Sequence, residues 1–315
     1  WFPFPNVTLL NTAPQARHPI LWILWFEFAL PRLFKKYKID LFFSPDGFVS
    51  LSSKIPNIPV IHDLAYLHFP NHLPFWVRYY YQIFTPKFIH KAQHLLTVSE
   101  FVKNDIIQQF KTKQNNISVT QNAPSFPRIK TFEKPNHFLY LGALHPRKNI
   151  TTLIQAFDLF KKNTHSPLKL IIIGKPAWKT KEIFETLSLS PYQKDIILTG
   201  YLPENEIQKY FSSALAFIYI SLFEGFGIPV LDAMQSGVPV ITSNSTSLKE
   251  ISGDAAYLVH PENIEEIAEA MANLEASPTL RNNLIQKGFL QAEKYSWDNA
   301  AKVVRDAIVS NLPHD

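Results

Sequence analysis

At 315 residues the chain has the length of two ordinary domains, each able to bury its own core. It has no cysteine, which excludes a disulfide framework and a thiolate metal site and fits a reducing, cytoplasmic compartment. The formal charge of +5 is uneven: residues 1–135 hold 15 Lys and Arg against 7 Asp and Glu, and residues 136–315 hold 16 against 19. The basic first half implies an acidic ligand or surface (phospholipid, lipid-linked phosphate or nucleic acid), unless those side chains are merely solvated.

In chain order, the sequence starts at Trp1 with no charged leader before an apolar run, so no signal peptide is expected and the first domain is expected to lack its opening strands. The most apolar run, Ile20 to Phe34, is shorter than the ~20 residues a spanning helix needs and is interrupted by Glu27, Pro31 and Arg32. It reads as a largely buried helix, or as a helix in a membrane interface with Trp22, Trp25 and Phe26 inserted and Arg32, Lys35 and Lys36 near headgroups. Short apolar runs at 40–45, 59–64, 94–99, 137–144, 168–174, 195–202, 214–220, 238–244 and 255–260 read as strands buried on both faces, the mark of parallel sheets. Helical periodicity between them, as in 149–163 and 261–276, predicts alternating β and α units. Residues 121–136 contain three prolines and no apolar periodicity, and the charge balance changes sign there, so they read as the linker. The expected division is 1–125 for an incomplete first domain and 126–295 for a complete doubly wound second domain. A C-terminal helix, 296–315, is expected to pack back toward the first.

Residues 221–244, SLFEGFGIPVLDAMQSGVPVITSN, gather three of the nine glycines and two acids eight positions apart. The loop SLFEGFG follows a predicted buried strand, at the carboxyl end where parallel sheets bind ligands. Pro229 suits the first turn of a helix over roughly 229–236 and Gly237 its end. Gly225 and Gly227 would let backbone N–H groups approach a phosphate at the helix N-terminus. Glu224 would repel that phosphate, so it reads as an acceptor for sugar hydroxyls. Asp232, placed in the first turn, would accept a second set, implying a nucleotide sugar. The plainer alternative is a turn with Asp232 complementing the helix dipole.

In GALHPRKNITTLIQAF (142–157), Asn149 suits an N-cap, leaving Arg147 and Lys148 just before a helix N-terminus. Cations there oppose the helix dipole by roughly 0.3–1 kcal/mol each, and a bound diphosphate would reverse that sign, with Arg147 forking onto its oxygens.

These residues resemble the donor-binding domain of glycosyltransferase family 4, through EGFGIPVLDAM, SGVPVITSN and LGALHPRKNITTLIQAF, with LKLIIIGKPAW, IILTGYLPENEI and YSWDNAA as further matches. DLFFSPDG, PVIHDLAYLHFP and LLTVSEFVKNDI resemble that family's acceptor half. The resemblance implies an α/β fold of GT-B type, two facing Rossmann-like domains with parallel sheets. It implies a retaining transferase moving a sugar from a nucleotide-diphosphate sugar to a glycan or lipid-linked acceptor, and the PRKN form of the basic motif leans toward mannosyl-type surface-polysaccharide enzymes. On matching positions, Glu224 would hold donor-sugar hydroxyls. Phe226, Gly227 and Ile228 would offer backbone groups near the sugar, and Val230 and Leu231 would offer amides to the phosphates. Asp232, where the family usually has Glu, would reach the ribose, and Arg147 and Lys148 would clamp the diphosphate. Gly142 matches a glycine that many members follow with an arginine, where this chain has Ala143, and Gly174, Gly200, Tyr201 and Leu202 would line the base pocket. His62 would sit close to the transferred sugar. The alternatives for His62 are an interior hydrogen-bonding histidine beside an Asp63 that caps a turn, and a metal site with His68 and His72, which Pro70 opposes by breaking the helix that would align them.

No Asp-x-Asp pair occurs, so no metal and no cofactor beyond the co-substrate is expected, and Arg147, Lys148 and the helix end would stabilise the departing diphosphate. Scattered basic residues without a binding module argue against nucleic acid. A nucleotide-sugar epimerase, a phosphorylase and a non-catalytic nucleotide-sugar binder remain as other uses of the scaffold. Peripheral contact with the inner face of the cell membrane is the expectation for its location.

Overall fold

The computed structural model describes residues 4–10, 12, 18–129 and 133–312. The first domain holds strands β1 (Phe42–Ser44), β2 (Asn57–Ile61), β3 (Leu95–Thr97) and β4 (Ile117–Val119). Helices α1 (Pro19–Leu24), α2 (Leu30–Tyr37), α3 (Ala65–His68), α4 (Phe75–Lys91) and α5 (Glu100–Phe110) accompany them. The second holds β5 (His137–Leu141), β6 (Lys169–Ile173), β7 (Ile196–Gly200), β8 (Ala214–Tyr219), β9 (Val240–Ser243) and β10 (Tyr257–Val259). Around these lie α6 (Ile150–Thr164), α7 (Lys181–Leu189), α8 (Glu204–Ser212), α9 (Ile228–Gln235), α10 (Thr246–Ser252), α11 (Ile264–Ala276) and α12 (Pro278–Ala292), and α13 (Trp297–Asn311) follows. Each of the nine apolar runs overlaps a strand. β4 had no such run: of its three residues only Ile117 is buried, so its sequence carried little signal.

Both sheets are wholly parallel, ordered β1-β2-β3-β4 and β10-β9-β8-β5-β6-β7. In the second sheet the chain winds from β5 outward to β7, then returns to the other side of β5 with β8, so the direction of winding reverses between β5 and β8. That is the topological switch point, where the loops at the strand ends diverge and leave a crevice. β8 is buried along its whole length, and its apolar residues join those of β5, β6 and α6 in one core.

The run Ile20 to Phe34 departs from the continuous, largely buried helix of the sequence reading. It is broken into α1, a π-helical turn at Trp25–Ala29 and α2, with only Leu30 and Phe34 buried. Pro31 has no N–H for the Glu27 carbonyl, and the Ser52 hydroxyl donates to that carbonyl instead, at 3.1 Å. The Glu27 carboxylate accepts from the Leu51 and Ser52 amides at 2.7 and 2.8 Å, which explains an acid in an apolar run. Trp22 and Phe26 pack inward on Phe48, with ring centroids at 5.6 and 5.5 Å, whereas Ile20, Leu24 and Phe28 are the exposed apolar residues.

The stretch between β4 and β5 has neither helix nor strand among its described residues and is clasped by the second domain. The Ser125 amide donates to Asp232 Oδ1 at 2.6 Å, Trp297 Nε1 donates to the Pro124 carbonyl at 3.1 Å, and the Arg128 guanidinium lies 3.6 Å from the Phe289 ring centroid. Helix α13 runs back to β4, where Thr120 Oγ1 donates to the Ala300 carbonyl at 3.2 Å.

Candidate active site at the switch point

The two switch-point loops, 142–149 after β5 and 220–227 after β8, are tied backbone to backbone by Leu222 N–H donating to the Arg147 carbonyl at 2.9 Å. Asn149 braces them further, its Nδ2 donating to the Ile220 and Pro261 carbonyls at 3.2 and 2.5 Å. This differs from the expected cap. Asn149 sits in the left-handed region with φ 60° and its side chain accepts from the Thr152 hydroxyl, not from a helix amide. His145 makes the cap of the preceding turn, its Nδ1 accepting the Arg147 N–H at 3.1 Å. That nitrogen is therefore unprotonated, and burial with the Arg147 charge holds the His145 pKa below its usual value, so the imidazole is neutral.

Lys148 Nζ lies 2.6 Å from Glu224 Oε1 and 2.6 Å from the Tyr219 hydroxyl, which donates to the same carboxylate oxygen at 3.2 Å. The ion pair is nearly dry, with side-chain exposures of 15% and 9%. Burial raises Tyr219 well above the usual phenol value, with Glu224 adding to the shift, so it stays a donor. Tyr219 was missed in the sequence because its ring satisfies the apolar pattern of β8. A phenol five residues before Glu224, at the end of a strand whose other residues are aliphatic apart from Phe217, was the available signal.

The first domain faces this site through the loop after β2. Asp63 Oδ2 accepts from Arg147 Nη1 at 2.8 Å, while Asp63 Oδ1 accepts the Ala65 amide at 2.9 Å. Burial works against the Arg147 charge, but Asp63 and Glu224 outweigh it and raise its pKa. His62 Nε2 lies 2.7 Å from the Pro45 carbonyl; a carbonyl only accepts, so Nε2 is the donor in this bond. A β-carbon at Gly225 would fall 1.8 Å from the His62 carbonyl oxygen, so the lack of a side chain there lets the domains touch. Ser99 caps α5 through the Val102 amide at 3.2 Å and donates to the Gly225 carbonyl at 2.6 Å. Glu250 of α10 accepts the Glu100 and Phe101 amides at 3.0 and 2.8 Å, completing that helix terminus from the other domain.

A cavity of about 420 Å³ opens here. Its mouth carries His62, Asp63, His145, Arg147, Lys148 and Trp178, and it extends into the first domain among Phe48, Tyr66, Phe69, Tyr81 and Phe88. Of the residues singled out in the sequence, His62, Arg147 and Lys148 line it, and Glu224 lies behind Lys148. Gly142, Gly174 and Gly200 end β5, β6 and β7, where Gly174 N–H donates to the Gly200 carbonyl at 2.9 Å. Tyr201 is exposed beneath Lys175, whose Nζ is 4.4 Å from its ring centroid, and Leu202 packs on the core. Phe226 is buried edge-on to Tyr295. Gly227 takes φ 116° at the start of α9, and Ile228 opens the helix.

In α9 the local geometry around three of the residues singled out is as follows. The Val230 amide donates to the Gly227 carbonyl at 3.0 Å and is not free for a phosphate. Leu231 is completely buried within the helix. Because the helix begins at Ile228, Asp232 is its fifth residue rather than part of its first turn, and its carboxylate is held by the linker amide at Ser125. Burial pushes the Asp232 carboxyl up to about 6, with the Ser125 and Phe126 amides pulling the other way. The three histidines weighed as a metal site have separate partners. His62 bonds Pro45, His68 lies 2.8 Å from Asp105 and stacks on Phe223, and His72 packs against His145 and Phe69.

Two α/β domains with wholly parallel sheets, the second of them doubly wound, face each other across a cleft that carries Arg147 and Lys148, with a Lys–Glu–Tyr cluster at the switch point of the second: this is the GT-B architecture of enzymes that transfer activated sugars. The chain belongs to the family of glycosyl transferases group 1, whose pattern matches residues 122–291, more than half of the chain, and residues 5–123 match Glycosyltransferase Family 4. It is 29% identical over 255 residues to the O-antigen chain mannosyltransferase B of Escherichia coli, covering 77% of this chain and 67% of that protein. It is 28% identical over 306 residues to the O-antigen chain mannosyltransferase RfbU of Salmonella typhimurium LT2, covering 95% of this chain and 82% of that protein. Among solved structures, sucrose-phosphate synthase from Thermosynechococcus elongatus superposes with a TM-score of 0.77 at 16% identity over 97% of this chain and 82% of that one. S. aureus TarM superposes with 0.69 at 22% identity, over 81% of this chain and 51% of TarM. The chain thus spans about half of TarM and between two thirds and four fifths of the two mannosyltransferases.

Proposed function

We propose that this glycosyltransferase is a retaining hexosyltransferase that moves mannose from GDP-mannose to a glycan or lipid-linked acceptor in the synthesis of a cell-surface polysaccharide. The observation that carries the reading is the adjacency of Arg147 and Lys148 at the switch point, with Lys148 bonded to Glu224 and Arg147 facing the loop that bears His62. On this reading the diphosphate lies on the two cations and the sugar it carries is held by Glu224 and His62. The anomeric carbon–phosphate oxygen bond breaks while the acceptor oxygen bonds that carbon from the same face. The departing phosphate oxygen takes the acceptor proton, and the two cations stabilise the charge that develops on it. The mannose assignment is supported by the two O-antigen mannosyltransferases that the chain resembles and by its PRKN motif. On this reading no divalent metal takes part, because Arg147 and Lys148 supply the charge that steadies the departing diphosphate.

The enzyme works at the inner face of the cell membrane. No described helix is long and apolar enough to cross a membrane, while Ile20, Leu24 and Phe28 stand exposed at helical spacing ahead of the basic residues Arg32, Lys35 and Lys36. A thermal-shift panel of GDP-mannose, UDP-glucose and UDP-N-acetylglucosamine, followed by transfer assays in EDTA, tests the reading. GDP-mannose should stabilise most and turnover should survive chelation. Stabilisation by none of the donors would overturn it.

A further inference from the structure

Asp63 stands where the two domains meet, and no step of the proposed transfer uses it. Its Oδ2 accepts from Arg147 Nη1 at 2.8 Å across the cleft, with the two side chains 29% and 21% exposed, sheltered from full solvent screening. Its other oxygen holds the Ala65 amide at 2.9 Å, which fixes the carboxylate on the rigid start of α3. The other cross-domain bonds nearby, Ser99 to the Gly225 carbonyl, Glu250 to the amides of α5 and Lys179 to the Asn71 carbonyl, make no use of Arg147. The contact of Asp63 with Arg147 is therefore the one among them that an anion on Arg147 would disturb.

We propose that Asp63 is a built-in counter-anion that competes with the nucleotide diphosphate for Arg147, setting how tightly the donor binds and how readily the product diphosphate leaves. The inference rests on the reading that Arg147 takes the diphosphate. A phosphate oxygen on that guanidinium either displaces Asp63 or sits beside its carboxylate, and either outcome weakens binding through like-charge proximity. Because Asp63 belongs to the opposite domain, the exchange couples anion affinity to the seating of that domain. After transfer the same carboxylate reclaims Arg147 as the product departs. Asp63 is a positioning residue in this scheme: it meets Arg147, not the reacting atoms.

Asp63→Asn isolates the charge, since an asparagine oxygen can still accept the Ala65 amide. Calorimetric titration of GDP and of UDP into native protein, Asp63→Asn, Asp63→Glu and Arg147→Gln tests the proposal. Asp63→Asn should bind the nucleoside diphosphate at least about tenfold more tightly, with product inhibition strengthened in step, and Asp63→Glu should bind as the native protein does. A merely structural Asp63 would give no gain in affinity. Arg147→Gln should lose nucleotide affinity. If Arg147→Gln binds normally, the diphosphate reading itself fails. If Arg147→Gln weakens binding while Asp63→Asn leaves it unchanged or weaker, the counter-anion role is overturned and the donor site stands.

Discussion

Replacing Lys148 with methionine removes one charge of the Lys148–Glu224 pair and little volume. At a separation of 2.6 Å and an effective dielectric of about 20, the bare attraction is roughly 6 kcal/mol, much of it offset by desolvation of two nearly buried groups. The single variant leaves Glu224 buried with only the Tyr219 hydroxyl as a local donor, which costs about 3–5 kcal/mol. That is a large share of the about 5–15 kcal/mol that holds a typical protein folded. Glu224→Gln strands Lys148 at a similar cost. The double variant, Lys148→Met with Glu224→Gln, carries neither charge and should lie within about 1 kcal/mol of the native protein. Urea unfolding of the four proteins at pH 7 measures the cycle, and a transfer assay on the same samples separates folding from chemistry: all three variants should be inactive, the stable double variant included. If the two single costs simply add in the double variant to within about 0.5 kcal/mol, the pair is not coupled and the reasoning fails. Normal turnover by either single variant would remove the pair from the site.

Asp232 supplies a pH test. Its folded-state pKa is raised from 3.8 to about 6, so its contribution to stability is complete below pH 3.8 and is lost as pH rises through 6. Relative to Asp232→Asn, the native protein should lose roughly 3 kcal/mol across that window and then run parallel, as unfolding midpoints at stepped pH would show; a constant offset would contradict the assigned burial. Gly225→Ala places a methyl group against the His62 carbonyl and should hold the domains apart. kcat/KM would drop by about 100-fold or more, and the radius of gyration from solution scattering would increase; an unchanged radius would refute the close contact. Changing Ile20, Leu24 and Phe28 together to serine should abolish sedimentation with vesicles containing anionic phosphatidylglycerol while leaving transfer to a soluble acceptor intact, whereas the same change at the packed Trp22 should damage the fold.

The architecture was legible because parallel strands covered on both faces are written as uninterrupted apolar runs, and ALAFIYI or LKLIIIG has little other use. The loops were legible for a different reason: Arg147 and Lys148 before a helix oppose its dipole, and a sequence carries such a conflict only where something else resolves it. What resolves it was half readable. Glu224 answers Lys148 from 76 residues away and Asp63 answers Arg147 from 84, and pairing at that range depends on which strands the topology sets side by side. Gly225 was noticed for its backbone, yet its Cα faces another domain, which no local pattern encodes. Asp232 misled for a related reason. Its spacing from Glu224 fits a ligand-binding acid, but its short side chain meets the linker amide, and the linker has no periodicity by which to place it. Glu27 looked like a flaw in an apolar helix until its carboxylate was seen to hold the turn at Leu51 and Ser52.

The chain passes between the two domains twice, once through the linker and once just before α13, and Trp297 bonds the Pro124 carbonyl where the two passages meet. Two separated crossings would fix the halves like the two ends of a bracket. Two crossings pinned together act as a single pivot, and Glu250, Ser99 and the Asp63–Arg147 pair supply further bonds between the halves. The opening this predicts is a swing about Pro124 and Trp297. A label pair placed across the mouth would report the motion, while the same pair beside Trp297 would stay almost still.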